Sequence, residues 1–95
     1  MTDRYLFRLY VAGTSPRSRQ AVANLRRFAE AHLEGRYELE VVDVVADPES
    51  AERARVLTTP TLVREQPAPP RRITGDLSDI GRVADALDID SDGRP

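Results

Sequence analysis

Ninety-five residues, 40% apolar and 32% charged, suffice for one small domain and place the chain among soluble globular proteins. The net charge is −2, and the fourteen basic residues, all arginine, form no stripe interleaved with aromatics, so the electrostatic footprint of a nucleic-acid binder is missing. Cysteine is absent, which removes disulfides, thiolate metal sites and thiol catalysis, and no stretch approaches the roughly 18 apolar residues of a membrane span.

The N-terminus runs from Met1-Thr2-Asp3-Arg4 into a strand-like segment without a hydrophobic leader, so a cytoplasmic location is expected. Tyr5 to Val11 (YLFRLYV) is rich in aromatic and branched residues and nearly continuous in apolarity, as in a strand covered on both faces, with Arg8 the exception. Gly13-Thr14 ends it. Ser15 then offers an N-cap hydroxyl and Pro16 occupies the first helical position, where its missing N–H costs nothing. Ala21, Val22, Leu25, Phe28, Ala29 and Leu33 make one apolar helix face, and Gly35 suits a left-handed stop. Tyr37, Leu39 and Val41 alternate with Glu38 and Glu40 and lead into an apolar run to Val45, a second strand. Strand, helix and strand make a βαβ unit with parallel strands.

In the second half, Asp47-Pro48 caps a helical run from Glu49 to Leu57. Thr59-Pro60-Thr61-Leu62-Val63 reads as a strand entered through a proline. Pro67, Pro69 and Pro70 enforce a turn, and Arg71 to Thr74 can return as a short strand before Gly75-Asp76. Ser78 as N-cap opens a last helix to Leu87 with Ile80, Val83, Ala84 and Leu87 on one face. The order is βαβαββα: an α/β three-layer sandwich with a four-stranded mixed sheet, the order of thioredoxin-like domains. Residues 1–88 form the single domain and 89–95 an acidic, flexible tail.

Where thioredoxins and glutaredoxins carry two cysteines at the start of the first helix, this chain has Ser15-Pro16-Arg17-Ser18. Hydroxyls keep the size of thiols but form neither a thiolate near neutral pH nor a disulfide, and Ser18 has no base beside it because His32 lies well along the helix. Thr59-Pro60-Thr61 matches the segment that carries a cis-proline in that fold, here with a structural role. His32 alone is no metal site. Asp88-x-Asp90-x-Asp92-Gly93 opens like a calcium loop, but without the distal glutamate it reads as a solvated acidic tail. Nothing in the sequence calls for a cofactor, and no catalytic set can be assembled.

Leu9-Tyr10-Val11-Ala12-Gly13, Ser15-Pro16-x-Ser18, Asp43-Val44, Thr59-Pro60-Thr61-Leu62 and Arg71-Arg72-Ile73-x-Gly75-Asp76-Leu77-Ser78 occur in the order in which they stand in KaiB proteins, and from about Tyr5 to Asp88 the chain resembles that family. The resemblance implies a non-enzymatic adaptor that binds the N-terminal ring of the KaiC-type ATPase, regulates its timing or phosphorylation cycle, and captures KaiA where KaiA exists or works within a clock histidine kinase pathway. The alternative is a thioredoxin-like sensor or interaction domain for another partner in stress or signalling, also without redox activity. The resemblance further implies a fold that switches between a tetrameric ground form (βαββααβ, with the same first half) and a monomeric thioredoxin-like form, so tetramers or dimers are open to it. Partner contacts carried over are Arg71 and Arg72 after the stiff turn of Pro69 and Pro70, and the charged helix face of Glu52 and Arg53. Ser15, Pro16, Pro60, Gly75, Asp76 and Ala86 are the residues expected to determine the fold.

Three positions depart from the cyanobacterial pattern: Pro67-Ala68-Pro69-Pro70 replaces a triple proline, Glu40 stands at a strand position that is usually basic, and Gln20 replaces a usual Arg. A fourth difference concerns the fold itself. Cyanobacterial members carry glycine where this chain has Ala86, in a segment that is helical only in the thioredoxin-like form, and glycine costs a helix interior roughly 0.8 to 1 kcal/mol relative to alanine. Ala86 therefore favours the thioredoxin-like form of the free chain.

Overall fold

A computed structural model describes residues 4–89. The elements run β1 (Tyr5–Val11), α1 (Pro16–His32), β2 (Tyr37–Asp43), α2 (Pro48–Ala54), β3 (Thr61–Gln66), β4 (Arg71–Thr74) and α3 (Ile80–Leu87). The four strands form one mixed sheet in the order β2-β1-β3-β4, with β1 parallel to β2 and antiparallel to β3, and β3 antiparallel to β4. This is the thioredoxin-like order. Val83 to Leu87 are helical, the form that the alanine at position 86 favours.

Alternation along the strands sets the layers. Tyr5, Phe7, Leu9 and Val11 of β1, with Leu62 of β3 and Ile73 of β4, pack under Ala21, Leu25 and Phe28 of α1 and Val83 and Leu87 of α3 in one apolar core. The residues between them point the other way, toward α2. That face is unevenly covered: Tyr10 and Val63 are buried, while Leu6 and Arg8 are only half-buried, so the near-continuous apolarity of β1 overstates its burial toward the start of the strand.

The first helix starts as the sequence dictates, with the Ser15 hydroxyl accepting the Ser18 N–H and Pro16 in the first turn. Element ends elsewhere differ from the sequence-based expectation, each for a local reason. β2 stops at Asp43, two residues before the apolar run ends, because its carboxylate accepts the Val45 N–H at 2.9 Å and turns the chain. α2 stops at Ala54, where Arg55 adopts a left-handed cap, so Leu57 lies outside the helix and is 95% exposed.

α3 begins at Ile80, with Asp79 rather than Ser78 as its cap, because the Asp79 carboxylate accepts the Arg82 N–H at 3.1 Å while the Ser78 N–H is held by Asp76. Ile80, expected on the apolar face, is 42% exposed; Leu77 fills the core instead, brought inward by a positive φ of 64°. At the other end Asp88 takes a left-handed conformation and Ile89 donates to the Ala84 carbonyl at 2.9 Å, a cap that folds the chain back on the helix. Ile89 is consequently 4% exposed and belongs to the core, so the packed chain extends one residue past the expected boundary at position 88. The rest of the acidic tail and of the calcium-like pattern, Asp90, Asp92 and Gly93, lies outside the described residues.

Candidate functional site

The loop between β1 and α1, the entry to β3 and the exit from β4 converge at one end of the sheet, the place where a thioredoxin-like fold assembles its redox centre. Here Ser15 and Ser18 face each other, the Ser15 hydroxyl donating to Ser18 Oγ at 2.9 Å. Ser18 Oγ also accepts the Ala12 N–H at 3.2 Å, and Ser18 is 2% exposed. The pair thus ties the end of β1 to the first turn of α1, with no thiol to ionise. The Thr59–Pro60 peptide is cis and Pro60 is buried; its carbonyl accepts the Gly75 N–H at 3.0 Å. Gly75 has a φ of 109°, open to glycine and strained for any other residue. Asp76 follows, its carbonyl receiving the side-chain amide of the buried Asn24 at 2.7 Å. Of the residues expected to determine the fold, Ser15 bonds Ser18, Pro60 bonds Gly75 and Asp76 bonds Asn24, while Ala86 packs half-buried against the core from α3.

Three carboxylates near this end are held below the usual aspartate range. Asp43 is lowered chiefly by the Gly13 N–H, then by the N–H groups of Val45 and Ala46; Asp47 by the Ser50 hydroxyl and N–H; Asp76 by Ser78 and, more weakly, by the charge of Arg17. All three remain ionised near neutrality and serve turns and caps. A shallow cavity of about 140 Å³ opens between Arg17, Asp76, Asp79 and Arg82, its charges of both signs. Among the described residues no group of three or more His, Asp or Glu side chains is placed to hold a metal ion, and no helix is long and apolar enough to cross a membrane.

The residues expected to touch a partner sit elsewhere, on β4, its preceding turn and α2. Arg71 and Arg72 are adjacent on β4, so alternation sends them to opposite faces of the sheet. Arg72 turns toward α2 and donates to the carbonyls of Ala54 at 2.7 Å and Arg55 at 3.2 Å, closing the C-terminal end of that helix. This fork ties the end of α2 to the sheet. The Arg71 side chain is exposed and makes no hydrogen bond or ion pair among the described residues. Pro69 and Pro70 are exposed on the turn before it. Glu52 and Arg53 are exposed on α2, brought beside β4 by the Arg72 fork.

Sequence reasoning missed Arg64. It sits in β3 opposite Phe7, on the core face, and is buried with its guanidinium bonded to the carbonyls of Leu87 and Pro69. The signal available was its place in the alternation, two residues after Leu62 and so on the same inward face.

Comparison with known proteins settles the family. The sequence profile of the KaiB domain matches residues 8–89. The chain belongs to the KaiB family. It is 41% identical over 91 residues to the circadian clock protein KaiB3 of Synechocystis sp., covering 96% of this chain and 89% of that protein. To the circadian clock oscillator protein KaiB of Synechococcus elongatus it is 45% identical over 85 residues, covering 90% of this chain and 83% of that one. Among solved structures, the N-terminal domain of Synechococcus elongatus SasA superposes with a TM-score of 0.72 at 23% identity, over 92% of this chain and 86% of that domain. Oxidised mitochondrial thioredoxin 3 of Saccharomyces cerevisiae reaches 0.71 at 16% identity, over 90% and 78%. At those identities the likeness concerns the fold alone.

Glu40 has a visible role in the sheet. It lies opposite Arg8 in the β1–β2 ladder and accepts from its Nε at 2.6 Å, while Glu65 approaches the same guanidinium at 3.6 Å. The bond to Glu40, more than any other influence, holds Arg8 in its charged form. A lone cation on an otherwise apolar strand is thereby balanced on both sides.

Proposed function

We propose that this KaiB-family chain is a non-enzymatic adaptor that binds a KaiC-type ring ATPase and regulates its timing or phosphorylation cycle. The observation that carries the reading is the near-complete KaiB match across residues 8–89 on a chain that keeps the thioredoxin-like frame but has serines where thiol chemistry would reside. Relatives named as circadian clock proteins support a clock role. Arg71 supplies an unspent guanidinium for a partner carboxylate, with Pro69 and Pro70 stiffening its approach, while Glu52 and Arg53 on α2 offer charges on the Arg72 side of the sheet. A KaiA-type protein or a clock histidine kinase pathway would share this partner, and a cytoplasmic location fits the role. Exchange with a tetrameric or dimeric ground fold would make the competent monomer a fraction of the total and slow the apparent association.

The test is direct binding of the purified chain to the KaiC-type ATPase of the same cell, with and without ATP, by size-exclusion chromatography and interferometry. A retained complex whose formation alters the ATPase or phosphorylation cycle is expected. Absence of any complex under both conditions sinks the proposal.

A further inference from the structure

Arg64 is the one charged side chain among the described residues that the fold buries, at 3% exposure. No carboxylate pairs with it among those residues, and its Nε has no hydrogen-bond partner. A buried cation without a counter-ion is costly, and an apolar side chain of similar volume would be the cheaper filling. Its presence has to be explained by what its two bonded nitrogens hold.

Nη1 donates to the Leu87 carbonyl at 2.6 Å and Nη2 to the Pro69 carbonyl at 2.8 Å. Leu87 is the last residue of α3, where carbonyls lack helical donors and carry the negative end of the helix dipole. Pro69 lies in a loop, residues 67–70, in which three of four residues are proline, so the loop is rich in acceptors and has a single N–H of its own, that of Ala68. Both segments therefore need a donor from outside. A guanidinium presents two in a fixed planar fork, whereas the single ammonium of lysine is a point donor on a flexible stem. From β3, one side chain thus joins the sheet, the proline loop and the end of the last helix.

We infer that Arg64 is a positioning residue that couples the 67–70 loop to the C-terminal turn of α3, so that Arg71, immediately after the loop, reaches the partner on a preset frame. The effect on the partner rests on the adaptor reading above; the coupling itself does not. Loosening either segment frees the other, and the fraction of molecules ready to bind falls with both.

The experiment uses the full chain with Arg64→Met, Arg64→Lys and Arg64→Ala. Hydrogen exchange at the Asp88 and Ile89 amides reports the helix end, and 15N relaxation at Ala68 and Arg71 reports the loop. Arg64→Met should speed exchange at Asp88 and Ile89 by roughly tenfold, with Ala68 and Arg71 gaining motion in the same variant. Arg64→Lys, which keeps the charge but loses the fork, should loosen both segments to a smaller extent. Millimolar guanidinium, but not an alkylammonium salt, should restore both in Arg64→Ala. Association with the ring ATPase should slow by about tenfold in Arg64→Met and recover on guanidinium addition to Arg64→Ala. Loosening of one segment without the other, or rescue by both salts alike, overturns the coupling. Unchanged association in a variant whose two segments have loosened overturns the positioning role. If the wild-type chain itself fails to bind, the adaptor reading falls, and the exchange and relaxation data still decide the coupling. Should Arg64→Met not fold, Arg64→Lys and salt-rescued Arg64→Ala carry the same comparison.

Discussion

The Asp43 carboxylate, at the end of β2, accepts the Gly13 N–H at 3.0 Å and so ties the exit of β2 to the turn that follows β1. The same oxygen accepts the Val45 N–H at 2.9 Å, so one ionised group holds both turns. Folding lowers this carboxyl's pKa, with the Gly13 N–H the largest cause. A group lowered by folding stabilises fully above its unfolded pKa and loses that contribution as pH falls through its folded value. Asp43→Asn, which keeps the acceptor but not the charge, should therefore lower the thermal midpoint near neutrality, and the gap from wild type should close as pH falls through and below the ordinary aspartate range. A gap that stays constant on acidification would show that the charge contributes nothing.

Ser18 gives a prediction about the redox-dead corner. Its Oγ accepts both the Ala12 N–H and the Ser15 hydroxyl inside the protein, at 3.2 and 2.9 Å. Ser18→Ala should leave the Ala12 N–H without its acceptor and cost about 1 to 3 kcal/mol, measurable as a lower urea midpoint with an unchanged slope. Ser15→Ala removes an N-cap instead, worth about 0.5 to 2 kcal/mol. If Ser18→Ala is as stable as wild type, the buried contact is not what binds β1 to α1.

Much of the fold was legible because local signals agreed. Ser15-Pro16 announces the first helix, the apolar spacing from Ala21 to Leu33 fixes its buried face, and Tyr5 to Val11 can only be a central strand. The start of α3 was misjudged because two side chains suit the same cap. Ser78 and Asp79 both suit a helix start, and the local turn in which Asp76 takes the Ser78 N–H leaves Asp79 to accept the Arg82 N–H as the cap. Ile89 looked like tail because its neighbours are acidic, yet the left-handed turn at Asp88 delivers it to the core. In the candidate interface, motif order led to Arg71 and Arg72 as a pair, but their separate tasks follow from strand alternation and from the distance to α2, which no local pattern encodes. Arg64 was hidden for a related reason, since its two acceptors lie 5 and 23 residues away along the chain.

The split between the two β4 arginines is open to measurement. Arg71→Glu should weaken binding to the ring ATPase while leaving the thermal midpoint within error of wild type, because the side chain is exposed and unbonded among the described residues. Arg72→Met removes two bonds to carbonyls of α2 at an exposed site, so its effect on global stability should be under about 1 kcal/mol. Its distinctive signature should be faster hydrogen exchange confined to residues 51–56. Equal loss of binding and of α2 protection in both variants would mean that the arginines act as one surface pair after all.

The last prediction concerns Ala86, which sits half-buried in α3, its methyl group against the core. Ala86→Gly exposes backbone and adds unfolded-state freedom, costing this helix roughly 0.8 to 1 kcal/mol by propensity alone. α3 spans only Ile80–Leu87 and already contains Gly81, so a second glycine falls on a helix with little reserve. Its stability rests on the packing of Val83 and Leu87, the Asp79 cap and the left-handed stop at Asp88. A change of about 1.4 kcal/mol shifts a two-state ratio tenfold, so the glycine variant should move the population several-fold toward any competing arrangement of the second half. Backbone chemical shifts provide the measurement: Ala86→Gly should weaken helical shifts across residues 80–87 and, if the ground fold is accessible to this chain, add a second set of resonances with strand character there, while the first half keeps its wild-type positions. Undiminished helical shifts in the variant would show that packing at Val83 and Leu87, rather than the alanine, decides the conformation.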